Sequence, residues 1–482
     1  MKALFLRKSP GPRTFPAPPR RTAPRRRTSA RAVVLALFLL AGLTTPVANA
    51  APQHARHLEG TLASGAAYVI DVPGHWNGTV LLFSHGYRPA GSPNPAANAP
   101  DDATRALLLA QGYALAGSSY ATTGWAVEQA VPDQLGTLTA FTGKIGAPRR
   151  TIAWGESYGG LVTTTIAERH AGRIDGSLSL CGLVQGGVAN WNSTLDAVFA
   201  LASLLAPDAG IPLAGFADAA EATASARKLT GVLSKAQTTA AGRARIALAA
   251  ALHDIPAWNG PDQPRPAPSD HATAQANQYE AISGLVRNPA FAWRQEAEAR
   301  AGGNMSWNTG VDYTAMLRRS ANYKEVKALY KAAGRSLSGD LRTLADSPRI
   351  TADRDAVRYM TRNVTFTGAL RKPQMDIHTT GDGLIPVQSE SAYRQAVGTT
   401  GRTALLRQAY VDAPGHCAFS PGERAAALHT LEKRLRSGRW SDTTPSALNA
   451  ESRTADPSSP ARYIRYRPGP YPRPYDLAHP AA

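Results

Sequence analysis

A serine at the tip of a turn that joins a β-prone stretch directly to a helix is accepted by few folds, and this chain contains that arrangement. Thr151-Ile152-Ala153-Trp154 reads as an apolar strand, Gly155-Glu156-Ser157-Tyr158-Gly159-Gly160 follows without a spacer, and a helical pattern then runs to about His170. Glycines on both sides let the backbone reverse within a few residues and let helix and strand approach closely. The result is a nucleophile elbow, with Ser157 Oγ raised at the carboxyl edge of a sheet and at the positive end of a helix. A lone G-x-S-x-G arises often by chance; between a strand and a helix it is much rarer. The elbow therefore asks for a mostly parallel central sheet with helices on both faces.

The rest of the chain supplies that alternation. Residues 67–72 and 79–83 read as strands around the turn-rich Pro73-Gly74-His75-Trp76-Asn77-Gly78, 102–111 as a helix, 113–117 as a strand and 131–145 as an amphipathic helix. After 176–182 the alternation stops, and it resumes at Gln374-Met375-Asp376-Ile377-His378. The intervening 183–372 has the size of a domain and is rich in Ala, Leu, Lys and Arg, which favours an inserted, mainly helical cap. A helix from about 389, a strand at 404–411 and a helix at 421–436 complete the sheet domain. From 440 the Ser, Pro, Arg and Tyr content predicts an extended arm or a disordered tail over 440–482. The expected division is thus 51–182 and 373–439 for the two parts of the sheet domain, with 183–372 inserted between them.

Charge does not point to a nucleic-acid partner. The formal balance over 482 residues is +18, but ten of the lysines and arginines stand in the first fifty residues without an acidic residue among them. That stretch has the order of a signal peptide: a basic region to Arg31, an apolar run over 32–43, and Ala48-Asn49-Ala50 as the cleavage site. The apolar run is too short to span a bilayer, and no later segment offers about 18 uninterrupted apolar residues, so stable membrane insertion is not expected. Arg26-Arg27-Thr28 is followed by Ser29 and Ala30 where a twin-arginine signal would carry bulky apolar residues, which favours general secretion. The expected location is extracellular.

Ser157 needs a base and the base an orienting acid. Of eleven histidines, His416 stands in Asp412-Ala413-Pro414-Gly415-His416-Cys417, a tight loop between the last strand and the last helix. His54, His57, His170 and His479 read as solvated surface and His378, inside a strand, as core. The acid should lie between serine and histidine at the end of a late strand. Asp382 does so in Thr379-Thr380-Gly381-Asp382-Gly383-Leu384-Ile385-Pro386. Asp376 lies inside the strand, and Asp412 reads as a brace of the His416 loop. An oxyanion hole is expected from the backbone N–H of Tyr158 and that of Tyr87, in His85-Gly86-Tyr87 after an early strand. The Tyr87 ring reads as pocket wall.

Taken together, His85-Gly86, Gly124-Trp125-Ala126-Val127-Glu128, Gly155 to Gly160, Thr380-Gly381-Asp382 and Gly415-His416-Cys417, in the chain order Ser, Asp, His, resemble the α/β-hydrolase superfamily, and within it the secreted bacterial serine hydrolases with a large helical cap. The resemblance spans Tyr68 to about Arg439. Glu156-Ser157-Tyr158 is similar to the serine carboxypeptidase elbow, without that family's several disulfides. Tannases and feruloyl esterases that tie serine to histidine through neighbouring cysteines carry Cys where this chain has Glu156.

The expected activity is carboxylic-ester hydrolysis by a Ser157–His416–Asp382 triad through an acyl-enzyme, on a small-molecule or short-polymer substrate and without metal or cofactor. One alternative is a secreted exopeptidase, whose cap would supply an acidic anchor for the substrate amine, with Glu296, Glu298 and Asp312 as candidates. The other is a non-catalytic envelope-binding protein on the same fold. Oligomeric state is not readable. Trp191, Trp258, Trp293 and Trp307 fall in the cap, where most would pack helices together. Gly303-Asn304-Met305-Ser306-Trp307-Asn308-Thr309-Gly310 is the candidate polar substrate-facing loop, with Asn304, Trp307 and Asn308 as binding residues. The only two cysteines, Cys181 at the end of the strand after the elbow helix and Cys417 beside His416, both fall at the carboxyl edge of the sheet, which predicts a disulfide between them.

Overall fold

The computed structural model describes residues 54–474, so the expected signal peptide lies outside the described residues. Strands β1 (Arg56–Thr61), β2 (Ala67–Val72), β3 (Thr79–Ser84), β4 (Ala114–Ser118), β5 (Arg150–Glu156), β6 (Gly176–Leu180), β7 (Gln374–Gly381), β8 (Leu406–Pro414) and β9 (Tyr463–Ile464) form a single sheet in the order β1-β2-β4-β3-β5-β6-β7-β8-β9. The six strands from β4 to β8 in that order run parallel, and β1, β2 and β9 add antiparallel edges. Every residue of β3, β4 and β6 is buried, as a parallel sheet covered on both faces requires.

Helices α1 (Asp102–Ala110), α2 (Ala130–Ile145) and α3 (Tyr158–Arg169) follow early strands. Because successive strand residues point to opposite faces, Leu81 and Phe83 pack with Leu108 of α1 on one side, while Val80 and Leu82 pack with Leu138 and Phe141 of α2 on the other.

Between β6 and β7 the described chain is helical: α4 (Gly187–Leu205), α5 (Ala219–Gln237), α6 (Ala240–Leu252), α7 (His271–Arg287), α8 (Arg294–Ala301), α9 (Tyr313–Arg319), α10 (Tyr323–Ala332), α11 (Leu337–Asp346) and α12 (Arg354–Val364). Asp218, Thr239, Asp270, Asp312 and Ser336 each accept a backbone N–H from the first turn of the helix they precede, which sets where five of these helices begin. The insertion has its own core, with Leu195, Leu201, Leu229, Leu248, Phe291, Leu317 and Val326 all buried together. After β7 come α13 (Ser389–Thr399), α14 (Pro421–Ser437) and α15 (Pro445–Ala455). No helix of the described residues is long and apolar enough to cross a membrane.

The segment after 440 departs from the expected arm or tail. Thr444 caps α15 by accepting from Ala447 N–H, with Pro445 in the first turn. β9 then pairs with β8, and the buried Tyr463 donates its hydroxyl to Glu423 O at 2.7 Å. Beyond it, Tyr471 is buried, and Arg473 reaches the fully buried Asp196 of α4 at 3.0 and 3.1 Å. A Pro- and Arg-rich composition suits extended backbone, and here the extended backbone is held by contacts along its length. β1, read as polar lead-in, is the other element the sequence pattern misses: its burial pattern is that of a half-exposed edge.

Candidate active site

β5 delivers Ser157 at its carboxyl end, and the turn into α3 is as sharp as the sequence implies. Ser157 has φ +58° and ψ −125°, a conformation that residues other than glycine rarely adopt. The crossing leaves no room beside Gly159, where an added Cβ would overlap the carbonyl of Ser84 on β3. Tyr158 is the first residue of α3, so its N–H has no acceptor within the helix. The His85–Gly86–Tyr87 segment leaves β3 beside this turn: a Cβ on Gly86 would lie 3.6 Å from that of Ser157. His85 is buried against Tyr120, their ring centres 4.0 Å apart, and the Tyr120 hydroxyl donates to His85 O at 3.1 Å. Tyr87 and Tyr158 thus both flank Ser157.

His416 follows β8 and Asp382 follows β7, neighbouring strands in the sheet. His416 Nε2 is 2.7 Å from Ser157 Oγ, and His416 Nδ1 is 2.6 Å from Asp382 Oδ2. The other oxygen, Asp382 Oδ1, accepts the N–H groups of Leu384 and Ile385, both at 2.9 Å. Asp382 is fully buried. Burial pushes its pKa up, but His416 and then His378 outweigh it and hold the carboxyl well below the usual carboxylate range. Gly381 lets the two loops meet: a Cβ there would press on Trp258 O from the insertion and on Pro414 Cα from β8. Gly415 N–H donates to Gly381 O at 2.8 Å, which sets the height of the His416 loop.

Of the carboxylates that compete with Asp382 for the role of orienting acid, Asp376 sits fully buried within β7 and accepts from Gln374 at 2.9 Å. Asp412 pairs with Arg265 of the insertion at 2.9 and 3.0 Å, which ties β8 to the helical layer. His378 is core, as expected, but it also reaches Asp382, a link the sequence pattern does not disclose.

Cys181 and Cys417 are disulfide-bonded, with Cα atoms 5.4 Å apart. The bond joins the end of β6 to the residue after His416 and closes a separation of 236 residues that contains the whole insertion. Loop-closure entropy assigns such a link up to about 5 kcal/mol. Replacing both cysteines with serine is therefore expected to lower unfolding free energy by several kcal/mol in urea melts and to slow turnover by loosening His416. A urea midpoint unmoved from wild type would contradict this.

A narrow cavity opens from Ser157 beneath the helical insertion. Its walls are mostly aromatic and aliphatic: Tyr87, Trp125, Tyr158, Trp191, Trp293, Leu183, Leu285 and Ile385, with Asn190 and Thr194 of α4 as polar members. Trp191 and Trp293 are the two insertion tryptophans that reach it. Asn304, Trp307 and Asn308 do not line it, which corrects the expectation of a substrate-facing loop. Asn304 bonds Ser306 and Thr351 through their backbone carbonyls, and Asn308 bonds the Tyr313 hydroxyl and Ile350 N–H. Trp307 lies under the Arg473 guanidinium. Polar residues between glycines looked like an open loop because their hydrogen-bond partners are distant in sequence. The acidic candidates for an amine anchor are also engaged. Glu296 accepts Trp125 N–H at 2.7 Å and pairs with Arg300, Glu298 is buried beside Arg294 and accepts Gly215 N–H, and Asp312 caps α9.

The sheet order, the elbow and the acid and histidine at the ends of late strands define an α/β-hydrolase fold. No family model matches the chain. It is 30% identical over 444 residues to o-phthalyl amidase of Xanthobacter agilis, an alignment that covers 86% of this chain and 95% of that protein. The chain belongs to the family of that amidase and is a hydrolase. Among solved structures it is similar to the Pyrococcus horikoshii acylaminoacyl peptidase (12% identity, TM-score 0.37, covering 82% of this chain and 44% of the peptidase). It is also similar to feruloyl esterase B from Aspergillus oryzae (12% identity, TM-score 0.38, covering 80% of this chain and 81% of the esterase).

Proposed function

We propose that this protein is an exported serine hydrolase that cleaves carboxylic esters and amides of small aromatic acyl groups through an acyl-enzyme on Ser157. The observation that carries the reading is the continuous chain of short contacts from Ser157 Oγ through His416 to Asp382. In the first step His416 Nε2 takes the Oγ proton as Oγ bonds to the substrate carbonyl carbon. The carbonyl electron pair moves to oxygen, where the N–H groups of Tyr87 and Tyr158 receive it. Collapse breaks the bond to the alcohol or amine, which leaves with the proton from His416. Water, deprotonated by the same histidine, then releases the acid.

The acyl class rests on two supports. The cavity walls offer flat apolar surface, and no formally charged side chain stands among the residues that line them, which suits a compact ring and leaves a peptide's free amine without an anionic partner. The relative is named for its action on o-phthalyl amides. Export rests on the leader sequence and on the disulfide, a bond that belongs to oxidising compartments.

A substrate panel tests the reading. Phenyl esters and anilides of benzoic and phthalic acids should turn over at least about tenfold faster, by kcat/KM, than aminoacyl anilides, and the protein recovered from the medium should begin at Ala51. Preference for free-amine peptide substrates would replace this reading with the exopeptidase one.

A further inference from the structure

Behind the Asp382 carboxylate lies a second imidazole. His378, four residues earlier on β7, is completely buried. Its Nε2 is 3.0 Å from Ile385 O and 3.4 Å from Asp382 Oδ2. A carbonyl oxygen can only accept, so Nε2 carries a hydrogen. Nδ1 is 3.0 Å from Glu390 Oε1 on α13, and the other Glu390 oxygen accepts Gln408 of β8 at 2.7 Å. Asp376 adjoins the same carboxylate; burial and the charge of Glu390 push its pKa well up. Burial thus favours the proton of that carboxyl pair on Asp376. Both nitrogens of His378 thus face acceptors and both carry hydrogen.

We propose that His378 is a positioning residue for Asp382: clamped by Glu390, it backs the triad carboxylate with a second, cationic imidazole on the side away from Ser157. Burial lowers the pKa of the ring, but hydrogen bonds and charges from Asp382 and Glu390 outweigh it and raise it to about 10. The ring stays charged across neutral pH. The groups that act on the ring are Asp382, just after β7, and Glu390 on α13; Asp376 on β7, Tyr393 on α13 and Gln408 and Tyr410 on β8 face Glu390, and His253 after α6 and His416 face Asp382.

Two consequences follow for the triad proposed above, on which this inference rests. Asp382 Oδ2 accepts from His416 and has the His378 ring 3.4 Å behind it, while Oδ1 is held by two backbone N–H groups, so the carboxylate is kept from rotating away from His416. The positive charge on His378 also faces the Asp382 carboxylate from the side away from Ser157, where it helps hold that carboxyl ionised.

His378→Gln tests this, because the amide keeps a donor and loses the charge. The acidic limb of kcat/KM against pH should move upward by roughly half to one unit, with activity at a fixed acidic pH about three- to tenfold lower relative to the plateau. In wild-type protein labelled with 15N-histidine, His378 should show two ring N–H signals on either side of neutral pH. A folded His378→Gln enzyme with an unmoved acidic limb overturns the proposal, and so does a single ring N–H on His378. Should the variant fail to fold, the wild-type signals decide. An active Ser157→Ala enzyme would sink the serine-hydrolase reading itself. An inactive Ser157→Ala beside an unmoved limb in His378→Gln would sink only this inference.

Discussion

Ser157→Ala is expected to lower turnover about a million-fold while leaving the thermal midpoint close to wild type. The size follows from what is lost: without Oγ there is no acyl-enzyme, and the remaining donors can only bind and polarise the carbonyl for attack by water. The fold should survive because the cost of the elbow lies in its backbone. Ser157 already holds φ +58°, and alanine has the same Cβ to place there. No hydrogen bond of the Ser157 side chain besides that to His416 is seen among the described residues, so its removal leaves only the imidazole to find water. Labelling by a fluorophosphonate should vanish in the same variant. A Ser157→Ala protein that retained even a hundredth of wild-type turnover would show that the chemistry lies elsewhere.

What could be read from the sequence and what could not divide by the range of the interactions. The elbow is local: strand, two glycines and helix are adjacent, so the position of Ser157 follows from neighbours in the chain. The placing of Asp382 and His416 near Ser157 is also legible, because each occupies a glycine-flanked break after a strand, and parallel strands bring their carboxyl ends to one edge. The disulfide follows from the same topology. Contacts without local trace escaped. Glu390 holds His378 from a helix whose sequence reads as ordinary surface pattern. Asn304 and Asn308 satisfy a buried loop through residues some forty positions later, so they resemble exposed binding groups. The chain after 440 has a composition that suits extended backbone, and whether extended backbone is bound or free depends on partners. Here they are Glu423 in α14 and Asp196 in α4, far from it in sequence. Trp191 and Trp293 could be identified as cap aromatics but not told apart from Trp258 and Trp307, since which face meets the cavity is set by tertiary packing.

Asp382→Asn should reduce turnover about ten-thousandfold, with Asp376→Asn within roughly tenfold of wild type, and the contrast comes from which hydrogens each carboxyl receives. Asp382 accepts three hydrogen bonds, from Leu384 and Ile385 N–H on one oxygen and from His416 on the other, with His378 Nε2 3.4 Å from that second oxygen. An asparagine must turn its NH₂ toward one of these pairs. If it faces the histidines, it donates to His416 Nδ1, which must then become the acceptor. The imidazole hydrogen moves to Nε2, and that nitrogen can no longer take the proton of Ser157 Oγ 2.7 Å away. If it faces the backbone instead, two N–H groups lose their acceptor at a fully buried position, and the loop that carries the residue must shift. Either outcome removes the base. Asp376 differs because burial and the charge of Glu390 push its pKa well up and so favour the neutral carboxyl. An amide there keeps the shape of a protonated acid and, like it, offers both a donor and an acceptor, with its oxygen still able to accept from Gln374. Steady-state kinetics of the two variants beside circular dichroism of each would separate the cases. Equal losses in both would mean that the carboxylate serving His416 is not the one at the end of β7.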